Sequence, residues 1–392
     1  MRTVRLFVGL IALPLVFGAS ARPDSLVPSG PIAIIGKSGV VVRGLRITST
    51  SGNCVTIAHS SDIAIEGSEI GPCGDSNTTN LSNGVSIVGG DHIAVSDNYI
   101  HVENAASACC DTHDNILVQG SSYVAIQGNV IAYGETNIEV NGMPNDHVAV
   151  VGNFLLNPRG PFPRGQNYQS WGLKDVGPNT NMLVSENYAL SAQGLDRYRF
   201  SENQEDSINF GYTAGAVARA NYVVGGHSPS GCGLIADDHA DNMQFTDNIL
   251  SDTGQCGIGI ASGAGQTVVG NKILNLTPIP KAGNTPIYVW NQYKAAACGP
   301  VTVSNNIGDE IKADGATHSG FWNGGGCGAV TMKNNIWSAE AHAELYPMST
   351  TNPPPMIPVR PKTCVAASPF TTNKSLPSCD ASLAPPPASA QP

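Results

Sequence analysis

One short phrase recurs along this chain: an apolar residue, two or three others, Asn, any residue, apolar. It reads VSDNYI at 95–100, IQGNVI at 126–131, VVGNFL at 150–155, FTDNIL at 245–250 and VVGNKI at 268–273. ANYVV (220–224), VSNNI (303–307) and MKNNI (332–336) carry it too. RGLRI (43–47), EGSEI (66–70) and SENYA (185–189) are degenerate copies. Aligned on the Asn slot, the copies fall at 45, 68, 98, 129, 153, 187, 221, 248, 271, 305 and 334, with gaps of 23 to 34 residues. A unit this short cannot close a core alone and must stack on its neighbours. Between the slots lie alternating runs such as VTI, VSIV, ILV, IEV, INF and IYV, which read as strands. The expected fold is therefore all-β: a single-stranded right-handed parallel β-helix solenoid of about eleven coils, each rising about 4.8 Å. Asn suits the corner for two reasons. It tolerates the left-handed region better than most residues, and stacked Asn side chains can hydrogen-bond along the rod as a ladder.

The ends of the chain read differently. Arg2 and Arg5 precede the apolar run LFVGLIALPLVFG and then Ala19-Ser20-Ala21, the pattern of a secretory signal cleaved after Ala21. The apolar run is too short to span a bilayer, and no later segment reads as a membrane span. The expected organisation is a signal peptide over 1–21, the β-helix over 22–340 and a Pro-rich, mostly disordered tail over 341–392. The expected mature protein is secreted or periplasmic, soluble and monomeric. A formal net charge of −10 offers no basic footprint for nucleic acid.

Ten cysteines in an exported chain are expected to bridge. CGLIA (232–236) and CGIGI (256–260) share a register one turn apart, as do CGPVTVSNNI (298–307) and CGAVTMKNNI (327–336). Stacked strands lie within disulfide reach, so the pairs Cys232–Cys256 and Cys298–Cys327 are expected. Cys364 with Cys379 would bridge the tail. Cys54, Cys73, Cys109 and Cys110 are left without assigned partners.

Alternation then decides which residues point out of the rod. The runs ILVQ (116–119), IEVN (138–141), LKDV (173–176), INFG (208–211), LIAD (234–237), IGIA (258–261) and YVWN (288–291) align as one outer sheet. Its outward column holds Gln119, Glu139, Asn141, Lys174, Asn209, Asp237, Tyr288 and Trp290. Asp175, Glu205, Asp206, Asp238 and His239 flank it. At one coil each, Glu139, Lys174, Asn209 and Asp237 would span roughly 15 Å, about three sugar units. The insertion PRGPFPRGQNYQSWG (158–172) brings Arg159, Arg164, Tyr168 and Trp171 to the same side, and a later one brings Arg197, Tyr198 and Arg199. Guanidinium forks suit carboxylates, and aromatic rings suit the flat face of a pyranose. CCDTHDN (109–115) places Asp111, His113 and Asp114 before a strand, a natural acid/base unit.

The Asn-punctuated coils resemble the secreted right-handed β-helix proteins, a superfamily that includes pectate and alginate lyases, polygalacturonases and mannuronan epimerases. Asp111-Thr112-His113-Asp114 resembles the Asp-Pro-His-Asp signature of the epimerases, with Thr112 in place of Pro and Cys109-Cys110 in place of the preceding Tyr-Gly. The resemblance implies His113 and Asp111 as catalytic candidates. Asp237-Asp238 is similar to the paired Asp of polygalacturonases, whose Asn-Thr-Asp and Gly-His-Gly elements are absent here.

Three functions follow. The first is a polysaccharide lyase or epimerase that removes the proton beside a uronate carboxylate. Arg159 and Arg164 would neutralise the carboxylate, Lys174 or His113 would act as base, and Glu139, Asp206 and Asp237 would hold Ca²⁺. Asp238 joins these as a catalytic candidate, and Tyr168, Asn141, Asn209 and His239 would bind substrate. The second is a glycoside hydrolase, pairing Asp206 with Asp237 or Glu139 with Asp206. The third is a non-catalytic, adhesin-like rod that binds glycans through Tyr288, Trp290 and the Pro-rich tail.

Overall fold

The structure is a computed structural model that describes residues 26–74, 82–102, 114–160, 165–191, 204–280, 282–294 and 297–351. The expected signal segment, Cys109, Cys110, Asp111, His113, Arg164, the 197–199 group and the Cys364–Cys379 pair lie outside the described residues.

The chain winds as a right-handed parallel β-helix. Each turn lays down three short strands on three long sheets. Ile116–Gln119, Ser122–Gln127 and Val130–Ala132 make one turn. They pair in parallel with Ile138–Asn141, Asp146–Val151 and Phe154–Leu156 of the next, in registers Ile116↔Ile138, Val124↔Val148 and Val130↔Phe154. We call the sheet that follows the Asn corner sheet I, the next sheet II and the third sheet III. Sheet II has 11 strands, and sheets I and III have 13 each. Inward residues stack in columns, such as Val85, Ile116, Ile138, Tyr168, Ile208, Leu234, Ile258 and Ile287 on sheet II, and these columns merge into one continuous core. Burial of each large aliphatic side chain contributes roughly 1.5–3 kcal/mol.

The corner between sheets III and I holds the asparagine ladder. Asn98, Asn129, Asn153, Asn187, Asn221, Asn248 and Asn271 are buried there. Each Nδ2 donates to the Oδ1 of the next coil's Asn at 2.9–3.0 Å and to a sheet III carbonyl. Two details differ from the expectation. The ladder continues through Asn306 and Asn335, not residues 305 and 334. The left-handed residue is also the one before the ladder Asn: Asp97, Gly128, Gly152, Glu186, Ala220, Asp247 and Gly270 all have positive φ. Asn305 and Asn334 occupy that position in the last coils, at φ of 56° and 53°. The ladder Asn is thus selected for its amide, and the turn itself is made by its predecessor.

Cys232–Cys256 and Cys298–Cys327 are bridged as expected. Cys54, left without a partner by the sequence, is bridged to Cys73 across a corner within one coil, with a Cα–Cα distance of 5.4 Å. One helix, Ser338–Thr351, follows the last coil and crosses the expected boundary at 340. It turns Ala341 and Leu345 inwards, an i,i+4 pair on one face.

Candidate active site on the outer face of sheet II

The sheet II register decides what lies beside what. Leu117, Glu139, Gln169, Asn209, Ile235, Gly259, Tyr288 and Trp322 form one outward column. The strand between Ile138–Asn141 and Ile208–Gly211 is Tyr168–Trp171, not the LKDV run. Gln169 therefore stands where Lys174 was expected. Lys174 sits beyond the strand in an exposed turn, closed by the Gly177 amide on the Leu173 carbonyl at 2.9 Å. Tyr168 points inwards, fully buried against Phe210 with ring centroids 5.5 Å apart. It is a core residue. Arg159 is also buried, its amide bonded to the Gly134 carbonyl at 2.7 Å.

Two acidic groups stand on this face. In the first, Asn141 donates from Nδ2 to Glu139 Oε1 and accepts at Oδ1 from Gln119 Nε2 at 2.7 Å. Asp114 lies behind, buried, with Oδ1 on the Thr136 amide at 3.2 Å. Burial, then the charge and hydrogen bond of Glu139 and the charge of Glu135, push the Asp114 carboxyl well above the usual range.

The second group is built from two adjacent coils. Asn209 Nδ2 donates both to Asp206 Oδ2 at 2.8 Å and to Asp237 Oδ2 at 3.0 Å. Two oxygens that reach one nitrogen lie no more than about 6 Å apart, short of the roughly 6.5–9.5 Å at which inverting glycosidases space their carboxyls. Asp206 Oδ1 accepts the Cys232 amide at 2.7 Å, and Asp237 Oδ1 accepts the Tyr293 hydroxyl. Asp206 is 2% exposed and Asp237 9%. Burial first, then the charges of Asp237 and Glu205, drive the Asp206 carboxyl well above its ordinary range. Burial also raises Asp237, against the lowering hydrogen bonds of Tyr293 and Asn209. The pair thus retains a proton at a pH where isolated carboxyls have lost theirs. Tyr288 lies close enough for the charges of Asp206, Asp237 and Glu205 to raise its phenol further, beyond the larger effect of burial.

The open edge of this group is aromatic. His239 Nδ1 lies 2.5 Å from Asp238 Oδ1, and its ring stacks on Tyr212 at 4.7 Å and 9°. Tyr212 meets Trp171 edge-on at 6.1 Å. Gly211 has no side chain for a reason: a Cβ there would stand 2.3 Å from the Trp171 ring. Asp238, His239, Tyr212 and Trp171 are all partly exposed.

Of the expected site residues, then, the structure brings together Asp206, Asn209, Asp237, Asp238 and His239. Glu139 and Asn141 form a separate group, two coils from Asn209. Glu139, Asp206 and Asp237 do not converge as a cation site: among the described residues, only a different trio brings its ligand atoms within 4.8 Å of one another. Sequence reasoning missed Tyr293, Tyr212 and Glu135. Asp114, Thr136, Gln166, Asp206 and Cys232 all lie two residues before the first inward residue of their sheet II strands, so Asp114 and Asp206 share one lane.

No protein-family model matches the sequence, and no curated protein does. Among solved structures, the chain is similar to the Dettilon tailspike protein, at 13% identity and a TM-score of 0.55, over 79% of this chain and 61% of that one. It is also similar to DFA-IIIase from Arthrobacter chlorophenolicus, at 15% identity and a TM-score of 0.42, over 72% of this chain and 65% of that one. A further similarity is to PfbA, a surface protein and adhesin of Streptococcus pneumoniae, at 9% identity and a TM-score of 0.45, over 78% and 91% of the two chains. The chain spans less than two thirds of the length of the tailspike and of DFA-IIIase. At these identities the likeness is one of fold, that of parallel β-helix proteins.

Proposed function

We propose that this protein is an exported glycoside hydrolase whose reaction centre is the Asp206–Asn209–Asp237 set. The observation that carries the reading is a single amide nitrogen shared by two buried carboxylates on adjacent coils. Cleavage of a glycosidic bond needs a carboxylic acid still protonated near neutral pH and a second group to activate water or stabilise the sugar cation. Asp237, at the rim, is the general acid. Asp206, deeper, raises the pair's hold on the proton that Asp237 delivers, through like-charge repulsion, and Asn209 fixes both. The Asp238–His239 pair at the open edge orients water. Trp171, Tyr212 and His239 offer flat rings to the sugar. Three disulfides support an oxidising, extracytoplasmic setting.

The lyase or epimerase reading needs a base and a cation over the substrate carboxylate. Among the described residues, Lys174 stands in an exposed turn and Arg159 is buried. What surrounds the pair is acidic, so an uncharged polysaccharide is the expected substrate class. The test is a panel of neutral and uronate polymers, followed for new reducing ends and for the ultraviolet absorbance of unsaturated products. Reducing ends from a neutral glycan, lost in Asp237→Asn, are expected. Unsaturated uronate products would overturn the reading. So would binding without turnover, which would point instead to an adhesin-like rod using the exposed Trp290 and Trp322.

A further inference from the structure

The last coil and the terminal helix meet around a buried carboxylate far along the chain from the sheet II acids. Strand Ile307–Ile311 pairs with Lys272–Asn275, which puts Asp309 in register with Leu274. An apolar position has become acidic. Asp309 is completely buried, and its ion-pair partners among the described residues are two histidines. His318 Nδ1 lies 2.8 Å from Asp309 Oδ2, and His342 Nδ1 lies 3.0 Å from the same oxygen. The rings meet edge to face, with centroids 4.9 Å apart. His318 comes from the short strand His318–Ser319, and His342 from the first turns of the helix.

An ordinary ion-pair clamp would place one imidazole on each carboxylate oxygen. Here both converge on Oδ2, and Oδ1, equally buried, has no hydrogen-bond partner among the described residues. One ligand atom from each of the three side chains lies within 4.8 Å of the other two. Zinc binds imidazole nitrogen and carboxylate oxygen at about 2.0–2.2 Å, so neighbouring donors in a tetrahedral site stand about 3.3 Å apart. Small ring rotations would open the observed contacts to that spacing. The donor set also selects among ions. Two imidazoles and one carboxylate suit zinc-class transition metals, whereas calcium requires six to eight oxygens.

We propose that Asp309, His318 and His342 form a binding site for a zinc-class divalent transition-metal ion, which fastens the terminal helix to the last coil. The donors come from three separate elements, so binding is coupled to docking of the helix. Both imidazoles are about three-tenths exposed, at 30% and 28%, so the cluster can be reached from solvent. The site shares no residue with the proposed hydrolytic centre.

The experiment uses the full exported chain with its disulfides intact, stripped by a chelator and titrated with Zn²⁺ by calorimetry, with Co²⁺ in parallel for its visible spectrum. One equivalent of Zn²⁺ is expected. The midpoint of thermal unfolding should rise by about 5 °C at a hundredfold excess over Kd. His318→Gln and His342→Gln change partly exposed residues. Each should weaken Zn²⁺ binding at least tenfold and abolish the Co²⁺ band. A parent that takes up no stoichiometric zinc overturns the proposal, as does zinc held equally by both variants. Should a variant prove unfolded, the parent's Co²⁺ spectrum decides. An intense tetrahedral band supports the site, and a spectrum like that of the aqueous ion sinks it.

Discussion

Asparagine is buried in two parts of this rod under opposite conditions. In the corner ladder, Asn187 accepts the amide and the side chain of Asn153 and donates to the Val150 carbonyl and to Asn221. Every polar atom has a partner, and no charge is present. On sheet II, one Asn209 nitrogen serves two carboxylates, while its own Oδ1 accepts nothing among the described residues. The first arrangement lowers the energy of the fold, since fully satisfied polar networks rigidify a core. The second raises it, since like charges are held together out of water. Residue type and burial are the same; the partners separate scaffold from site.

Asp237→Asn breaks the comparison on the functional side. It removes the proposed proton donor and should lower reducing-end release by about a thousandfold, with a little-changed unfolding midpoint. Asn187→Ala breaks it on the structural side. It removes the acceptor of the Asn153 backbone amide, one acceptor of the Asn153 side chain, and the donor to the Val150 carbonyl and Asn221, and should cost about 2–4 kcal/mol in urea unfolding. Asp206→Asn sharpens it. The Asp206 carboxyl is raised above its ordinary 3.8 in the folded state, so the folded protein binds this proton more tightly than the unfolded chain does. Its favourable contribution is fully present below the ordinary carboxylate range and is lost as pH rises through the raised value. Asp206→Asn should therefore abolish turnover yet stabilise the protein by roughly 1–2 kcal/mol at mildly alkaline pH, with the gain vanishing as pH falls towards 3.8. Denaturant midpoints measured across pH check the sign; a gain that grew on acidification would refute the assignment. Lys174→Ala should do least, changing turnover by less than about twofold and stability by less than about 0.5 kcal/mol.

Most of the scaffold was legible because its positions repeat. Two bridges could be assigned because Cys232 and Cys256, and Cys298 and Cys327, keep one register in successive coils. Cys54–Cys73 was hidden because it crosses a corner inside one coil, where no repeat marks it. The ladder slipped by one at its end because two asparagines stand side by side, and only geometry tells the left-handed Asn305 from the laddered Asn306. The helix was missed because Ala341 and Leu345 alone give no three-turn pattern. The site was half legible. Asp206, Asn209 and Asp237 follow clear alternating strands. Lys174 was misplaced because its coil offers two windows, and the true strand, YQSW, sets Ser170 inwards and so masks its own apolar period. Tyr293 reaches Asp237 from a turn two coils on, a contact that no local pattern encodes.

The corner ladder also gives the rod an electrical sense. From Asn98 to Asn335, every linking amide points its nitrogen towards the coil that follows and its oxygen towards the coil before. These dipoles add instead of alternating, as peptide dipoles do along an α-helix. The two ends of the column are therefore not interchangeable as templates. A coil grafted after Asn335 would have to arrive carbonyl first, and one grafted ahead of Asn98 would have to offer N–H, so the rod can be lengthened by repetition but not by inversion.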